Sequence, residues 1–274
     1  MRRGLEQQTN GSRIDQVEVL LPRVVAAPAD SDAFAQALAG RTIQGWDRRG
    51  KYLLGRISDG AGQTAGLWGV HLRMTGQFLL LAPEAPVCPH TRVRIRLVGR
   101  GEELRFVDMR SFGRMWWVPP GAEPAAVIGG LSRLGPEPFS GDFTAAYLRE
   151  RMRGSARPIK NALLDQALVA GVGNIYADEA LFAAGIRPDL PSGRLKTRRL
   201  QHLRDALVTV LDRSIGAGGT TFRDFHDLTG RNGNYGAAAW VYRRQGSPCR
   251  RCGSVVQRIR LAGRSTHWCP NCQR

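Results

Sequence analysis

Two Cys-x2-Cys pairs near the C-terminus constrain the fold of this chain more than any other feature. Sixteen residues separate the pairs, a spacing typical of two knuckles that hold one metal ion at the ends of a β-hairpin. Four thiolates leave no position for water in a tetrahedral shell, so we expect one structural Zn²⁺ without chemistry of its own. A redox dithiol is the alternative, but it needs a thioredoxin-like βαβ context. The predicted ligands are Cys249, Cys252, Cys269 and Cys272.

The residues between the two pairs predict the hairpin itself. Ala262-Gly263 is the candidate turn, and it places Arg264 at an exposed tip that suits a phosphate. A solvated surface arginine is the alternative. We interpret His267 and the distant Cys88 as structural or incidental residues rather than as metal ligands.

The charge of the chain points to a polyanionic partner. Lys and Arg number 40 against 23 Asp and Glu, which gives a formal net charge of +17. A GC-rich genome, which enriches arginine, is the alternative source of this excess. No apolar run reaches the thickness of a bilayer, no signal segment follows Met1, and four of the five cysteines lie in one short segment. We therefore expect a protein of the reducing cytosol without a membrane partner.

Residues 1–138 have the pattern of a β-sandwich. Val93, Ile95 and Leu97 alternate with arginines, which is typical of a half-buried strand with one basic face. Short strands separated by Gly and Pro are predicted near 17–21, 42–47, 51–58, 65–71, 76–82, 103–109 and 113–118. A helix over 2–6 precedes them, and the segment 134–139 is the predicted linker.

From Asp142 onward the pattern is helical. Asp142 is predicted to cap a helix that ends at Gly154, and a later amphipathic helix is predicted to end at Gly216. Between them, residues 158–171 and 174–185 predict two helices joined by a glycine-containing turn, with Asn174 as the N-cap of the second. The free N–H groups of such a helix favour an anion, so this turn is a candidate phosphate site. An ordinary αα-hairpin is the alternative.

The β-rich start, the run LLDQALVAGVGNIYADEALFAAGI at 163–186 and the four-cysteine segment together resemble the formamidopyrimidine-DNA glycosylase branch of the bacterial base-excision repair family. The resemblance covers nearly the whole chain. It implies an α+β multidomain fold with a β-sandwich at 1–138, a helix-two-turn-helix domain at 139–244 and a zinc finger at 245–274. It also implies a bifunctional glycosylase and AP lyase that flips 8-oxoguanine or formamidopyrimidine out of double-stranded DNA, cleaves the glycosidic bond through an imine and nicks the strand by β,δ-elimination.

The resemblance assigns roles to individual residues. Lys51 corresponds to a strand-borne lysine that reaches the lesion nucleotide, and His71 is a weaker candidate for a backbone contact. Three residues correspond to the group that fills the gap left by the extruded base: Met74, Arg110 and Phe112. Three more correspond to phosphate contacts: Lys160, Asn174 and Arg264. The irregular stretch 220–236 corresponds to a loop that caps the damaged base, with candidate residues Thr221, Arg223, Asn232, Asn234 and Tyr235.

The N-terminus departs from the family pattern. The family begins with Pro-Glu-Leu-Pro-Glu-Val-Glu-Thr-Val before Arg-Arg-Gly-Leu, and here Met1 stands where the last valine would be. The family's nucleophile is the N-terminal proline and its proton-transfer group is the adjacent glutamate. We therefore expect that the sequence begins at an internal GTG codon and that the natural product carries the catalytic end.

Two other hypotheses remain open. The first is a non-enzymatic protein that binds damaged DNA or abasic sites, and the second is a general basic DNA-binding protein with a zinc ribbon. If the resemblance holds, the expected partner is double-stranded DNA containing oxidised bases. A monomer would suffice for one lesion, and the expected location is the bacterial cytosol, in association with the nucleoid.

Overall fold

The computed structural model describes residues 1–219, 228 and 235–274, which form two compact units. The first unit comprises residues 1–132 with Leu228, and the second comprises residues 133–219 and 235–274. The first contains α1 (Arg2–Thr9), β1 (Ile14–Val19), β2 (Val25–Ala27), α2 (Ser31–Leu38), β3 (Thr42–Arg49), β4 (Tyr52–Ser58), β5 (Thr64–His71), β6 (Gly76–Leu81), β7 (Thr91–Leu97), β8 (Glu103–Asp108), β9 (Arg114–Val118) and α3 (Pro124–Val127). The second contains α4 (Ala145–Arg151), α5 (Ile159–Leu163), α6 (Asn174–Ala183), α7 (Thr197–Gly216), α8 (Tyr235–Ala238), β10 (Gln257–Leu261) and β11 (Arg264–Trp268).

Two β-sheets share one hydrophobic core in the first unit, so the predicted sandwich is confirmed. The strand order is β1-β7-β8-β6 in one sheet and β2-β9-β5-β4-β3 in the other. Neighbouring strands are antiparallel except β2 and β9. Aromatic rings fill the core between the sheets: the centroids of Trp46 and Trp68 lie 5.2 Å apart, and those of Trp68 and Phe78 lie 5.7 Å apart. Such tilted and edge-to-face pairs stabilise the core beyond the burial of their area.

Arg94, one of the three arginines of β7, is not part of the open basic face that the alternation predicts. Arg94 Nε donates to Glu103 Oε1 at 2.8 Å, and Arg94 Nη1 lies 3.0 Å from Glu18 Oε2. Glu103 is fully buried and also accepts a hydrogen bond from the buried Arg105. The sequence could not indicate this neutralisation, because the carboxylates come from neighbouring strands.

The pattern of the sequence does not predict α2, a helix of eight residues. Its N-cap is Asp30, whose side chain accepts a hydrogen bond from Asp32 N at 2.9 Å. Phe34 and Leu38 lie four residues apart on its buried face. The helix is so short that only two large apolar residues mark its period, which makes it hard to distinguish from a loop.

The predicted helix over 158–171 is too long, because α5 ends at Leu163 and turns follow it. The side chain of Gln166 bonds to the backbone of these turns: its Nε2 donates to Leu164 O and Val172 O, both at 3.0 Å, and its Oε1 accepts from Gly171 N at 3.0 Å. One side chain thus satisfies three backbone groups, so the segment does not need helical hydrogen bonds.

Two predicted helix caps are also wrong by one or two positions. Asn174 is the first residue of α6, and the N-cap is Gly173 in an extended conformation. The N-cap of α4 is Thr144 rather than Asp142, and its hydroxyl accepts a hydrogen bond from Tyr147 N at 3.1 Å. Caps of neighbouring polar residues compete, and the sequence pattern alone does not decide between them.

The C-terminal hairpin and the long helix agree with their predictions. Ala262 and Gly263 have φ angles of 44° and 78° and connect β10 to β11, as a two-residue turn with two positive φ angles requires. Helix α7 ends at Gly216. Among the helices that the structure describes, in 1–219 and 235–274, none combines the length and apolar character needed to cross a membrane.

Candidate nucleic-acid interface

The four predicted metal ligands converge in the second unit. Their Sγ atoms all lie within 4.8 Å of one another. Two of the separations are 3.9 Å, between Cys249 and Cys272, and 3.5 Å, between Cys252 and Cys269. Zn–S bonds of about 2.3 Å in a tetrahedron place sulfur atoms about 3.8 Å apart, so the cluster fits one zinc ion. Because all four positions of the shell are cysteine sulfur, the metal would connect the two ends of the hairpin and have no open position for a substrate.

A buried ion pair attaches the hairpin to the helices. Lys160 Nζ lies 2.7 Å from Asp178 Oδ1, and both side chains are fully buried. The same ammonium donates to Ser265 O at 2.7 Å and to Thr266 Oγ1 at 2.9 Å. Burial lowers the pKa of Lys160, and Asp178 opposes this shift. We name Lys160, Asn174, Asp178 and Ser265 the anchor network.

The position of Lys160 differs from its predicted role as a phosphate contact. Its three ammonium donors are all directed to protein acceptors, and its side chain is not exposed. In the structure Lys160 holds the hairpin tip through these hydrogen bonds, and its predicted phosphate contact stays a prediction. The sequence could not indicate this, because the hairpin acceptors lie 105 and 106 residues away.

Asn174 and Arg264 meet at the same place. Asn174 Nδ2 donates to Ser265 O at 3.0 Å, so that one carbonyl accepts hydrogen bonds from both Asn174 and Lys160. Arg264, the residue before Ser265, is exposed. The first intrahelical hydrogen bond of α6 runs from Ala177 N to Gly173 O, which leaves the N–H groups of residues 174–176 without helical acceptors. An exposed guanidinium beside a helix N-terminus is suited to bind a phosphate.

Lys51 and His71 lie side by side in the first unit. Lys51 is exposed in the turn between β3 and β4, after Gly50 with a φ of 56°, as predicted for a strand tip. The neighbouring residue Tyr52 pairs with His71 across the sheet. Burial, with smaller contributions from the charges of Arg73 and Lys51, lowers the pKa of His71 to about 4. His71 is therefore neutral at neutral pH. Its Nδ1 accepts a hydrogen bond from Arg73 N at 3.0 Å, so Nε2 carries the ring proton and is a donor.

Met74, Arg110 and Phe112 form an exposed group, which we name the wedge cluster. Met74 is 69% exposed in the turn before β6, and Phe112 is 49% exposed in the segment before β9. The Arg110 guanidinium lies 4.7 Å from the centre of the Phe112 ring. Single exposed apolar side chains are common on protein surfaces, but such side chains mark a binding surface when they lie together.

Asp108 holds the two segments of the wedge cluster together. Its Oδ1 accepts hydrogen bonds from Thr75 Oγ1 and from Arg110 N, and its Oδ2 accepts one from Gly113 N at 2.7 Å. Thr75 Oγ1 in turn accepts from Arg110 N at 3.0 Å. Asp108 is fully buried. A buried, hydrogen-bonded carboxylate therefore keeps the two segments of the wedge cluster in a fixed arrangement.

A second buried carboxylate on α6 supports the segment that follows α8. Glu179 accepts hydrogen bonds from the backbone N–H groups of Trp240 at 2.8 Å, Val241 at 3.0 Å and Tyr242 at 2.9 Å. Burial raises the pKa of Glu179, and the three amides oppose the shift. Sequence analysis does not identify Asp108, Asp178 or Glu179. For Asp178 and Glu179 the sequence offers one signal, which is an acidic pair within the mostly apolar helix α6.

The candidate residues of the predicted capping loop are outside the described part of the chain, apart from the backbone of Tyr235, which begins α8. This applies to Thr221, Arg223, Asn232 and Asn234. Their roles stay predictions.

Comparison with known families covers most of the chain. Residues 1–115 match the formamidopyrimidine-DNA glycosylase N-terminal domain. Residues 134–226 match the H2TH domain of the same enzymes. Residues 246–274 match a zinc finger found in FPG and IleRS.

Relatives and solved structures agree with these matches. A formamidopyrimidine-DNA glycosylase of Synechococcus sp. is 59% identical over 273 residues, which cover 100% of this chain and 96% of the relative. The corresponding protein of Parasynechococcus marenigrum is 57% identical with the same coverage. A complex between Lactococcus lactis Fpg and DNA containing an abasic site superposes with a TM-score of 0.90 at 35% identity, covering 100% of this chain and 96% of the other. A complex of a Lactococcus lactis FPG mutant with DNA containing Fapy-dG has the same TM-score and identity. The chain therefore belongs to the formamidopyrimidine-DNA glycosylase family.

Proposed function

We propose that this protein removes oxidised purines, 8-oxoguanine and formamidopyrimidine, from double-stranded DNA and then cleaves the strand at the resulting abasic site. The observation that carries the proposal is the wedge cluster, which is exposed and yet fixed by Asp108. Flipping a base costs a few kcal/mol of stacking and pairing. An apolar side chain with an arginine beside it can occupy the vacated space and recover part of that cost.

Each of the three predicted regions would supply different groups to the site. Residues 1–138 would supply the wedge cluster, Lys51 and the neutral donor His71. Residues 139–244 would supply the N-terminus of α6 for a phosphate and, within 220–236, the capping loop. Residues 245–274 would supply Arg264 at the tip of the zinc finger. When bound, zinc would fix the hairpin and take no part in the reaction. All these groups come from one chain, so we propose that the protein acts as a monomer. We also propose that it acts in the cytosol, where a reducing environment keeps cysteine thiols available to bind zinc.

The chemical step requires an unprotonated amine that attacks the C1′ atom of the lesion nucleotide. The departing base leaves with the glycosidic electron pair and takes up a proton. The nitrogen lone pair then forms the C=N bond as the C1′–O4′ bond of the sugar breaks, and O4′ keeps that electron pair and is protonated, which gives the ring-opened imine. An α-amino group is suited to this attack because its pKa near 8 leaves part of it unprotonated at neutral pH. Lys51 would need a depressed pKa to replace it. The β,δ-elimination that follows breaks the C–O bonds to the two flanking phosphates.

Trapping with sodium borohydride tests the proposal, because borohydride reduces the imine to a stable protein–DNA bond. We would compare the 274-residue chain with a chain in which Pro-Glu-Leu-Pro-Glu-Val-Glu-Thr-Val replaces Met1, each on an 8-oxoguanine duplex and on an undamaged duplex. We expect an adduct only between the damaged duplex and the chain that begins with Pro-Glu. Binding of damaged duplex without an adduct in either form would favour a non-enzymatic binder.

A matched pair of variants tests the wedge cluster. We expect Met74→Ala to lower the rate of 8-oxoguanine excision about tenfold, which corresponds to about 1.4 kcal/mol of barrier. Met109→Ala is the control, because Met109 is also exposed, at 46%, but is not in the wedge cluster. Equal losses in the two variants would contradict the assigned role of Met74.

A further inference from the structure

An open cavity of about 780 Å³ lies in the second unit. It is bounded by the C-terminal end of α4, the segment 192–196 and the start of α7. It shares no residue with the anchor network or with Arg264. The proposed activity does not use this cavity.

The lining of this cavity is strongly basic. It contains no aspartate or glutamate and five exposed cationic side chains, those of Arg149, Arg153, Arg194, Lys196 and Arg198. Among the described residues, only one of the five has an ion-pair partner, since Arg153 pairs with the exposed Glu150. Cations that the protein does not neutralise are expected to attract an anion to the space between them.

The N-terminus of α7 opens at the same cavity. This helix has twenty residues, no acidic residue in its first turn and no side-chain hydrogen bond at its N-cap, Lys196. The hydroxyl of Thr197, the first residue of α7, accepts a hydrogen bond from Arg149 Nη1 at 2.8 Å. The first intrahelical bond runs from Leu200 N to Lys196 O. The N–H groups of residues 197–199 therefore have no helical acceptors, and the positive end of the helix dipole adds to the surrounding charge.

Two further features concern the segment just before α7. The first is a close backbone contact, and the second is a buried hydroxyl. A Cβ atom at Gly193 would lie 2.6 Å from Ser155 N, so only glycine allows this close approach to the end of α4. Ser192, which also lines the cavity, is 1% exposed, and its Oγ has no hydrogen-bond partner among the described residues. A buried hydroxyl without a protein partner is uncommon, and it is suited to a hydrogen bond with a polar ligand.

We propose that this cavity is a second anion site, which binds a phosphate group through the N–H groups of residues 197–199 and the arginines around them. A phosphate carries the charge and the several acceptor oxygens that this donor set requires. The phosphate can belong to the backbone of DNA or to a free phosphate anion. The first source rests on the proposed function, since it would extend the contact of this protein along the duplex, and the second does not.

Two substitutions on the same helix form the test. Arg198→Gln removes a cation from the first turn of α7 at the cavity, and Arg213→Gln removes an exposed arginine from the last turn of the same helix. Inorganic phosphate is titrated into the full-length protein, and the amide chemical shifts of residues 197–199 report binding at this site. Affinity for a short undamaged duplex is then measured as a function of salt concentration.

We expect phosphate to shift these amides and Arg198→Gln to weaken that binding at least threefold, whereas Arg213→Gln leaves it unchanged. If the site binds a DNA phosphate, we expect Arg198→Gln also to lower the slope of log affinity against log salt by about 0.9, the value for one phosphate contact. An unchanged slope with weakened phosphate binding identifies a free anion as the ligand. Equal effects of the two substitutions, or no amide shifts at 197–199, would overturn the proposal. Because neither measurement needs a lesion or a reaction, failure here is distinct from failure of the trapping assay.

Discussion

The substitution Lys160→Met tests the anchor network most directly. Methionine has a similar length but no charge, so Asp178 would stay buried without its cation. Removing one partner of a buried ion pair costs about 3–5 kcal/mol. Asp178 Oδ2 would retain two contacts to His267, with its backbone N at 2.9 Å and with its ring Nδ1 at 3.2 Å. The lowered pKa of Lys160 indicates that desolvation already offsets part of the attraction. We therefore expect a loss near the lower limit, about 3 kcal/mol.

Calorimetry and zinc release measure this loss. For a unit of this size, 3 kcal/mol corresponds to a fall in Tm of roughly 10 °C. Because Lys160 bonds to Ser265 and Thr266, the variant should also release zinc to a chelator faster than the wild type. Lys196→Met is the matched control, since it removes an exposed lysine from the same unit and should change the Tm by little.

The double variant Lys160→Met/Asp178→Asn separates an unpaired charge from lost packing. With both charges removed, the asparagine oxygen still accepts the hydrogen bond from His267 N, and we expect a net cost of about 1 kcal/mol. A double variant as unstable as Lys160→Met would refute the reasoning, because the cost would then not come from the unpaired carboxylate. A Lys160→Met protein as stable as the Lys196→Met control would refute it as well.

Three further predictions concern other buried groups. A His71 pKa of about 4 in the folded protein, below 6.5 for the free side chain, means that stability is lost as the pH falls through this window. Between pH 7 and pH 5 the loss from this group is about 2 kcal/mol, and it should be absent in urea unfolding of His71→Gln. Asp108→Asn presents an amide N–H group to the N–H groups of the wedge segments, so we expect about tenfold weaker binding of lesion duplex and unchanged binding of undamaged duplex in a filter assay. Glu179→Gln should speed hydrogen exchange at the amides of Val241 and Tyr242 about tenfold or more, and unchanged exchange would contradict its role as their acceptor.

Much of the fold is encoded in short-range patterns. The alternation around Val93 and the glycines between strands locate the sheets, and the spacing of the cysteines locates the metal site and its hairpin. Helix α5 is shorter than predicted because the side chain of Gln166 bonds to backbone groups that a longer helix would have paired. The spacing of apolar residues gives no sign that side-chain hydrogen bonds replace helical ones in this segment.

The candidate site depends on longer-range contacts. Exposure of Met74 and Phe112 could not be predicted from hydrophobicity, which by itself places both residues in the core, and their role came from the family resemblance. Lys160 illustrates the opposite case, since a lysine near a phosphate site is expected to face solvent and here is fully buried. Its acceptors belong to a hairpin more than 100 residues further along the chain, so only the folded structure shows the pairing.

The way in which the hairpin is attached affects how freely its tip can evolve. Lys160 Nζ and Asn174 Nδ2 both bind the carbonyl oxygen of residue 265, which every amino acid possesses. The side chain at that position can therefore change without loss of these two bonds. A zinc-finger tip from another protein could be transplanted onto this protein if it keeps the two-residue turn and the hydroxyl at position 266 that accepts from Lys160. The side chain presented to a ligand can then vary without loss of the bonds that hold the hairpin.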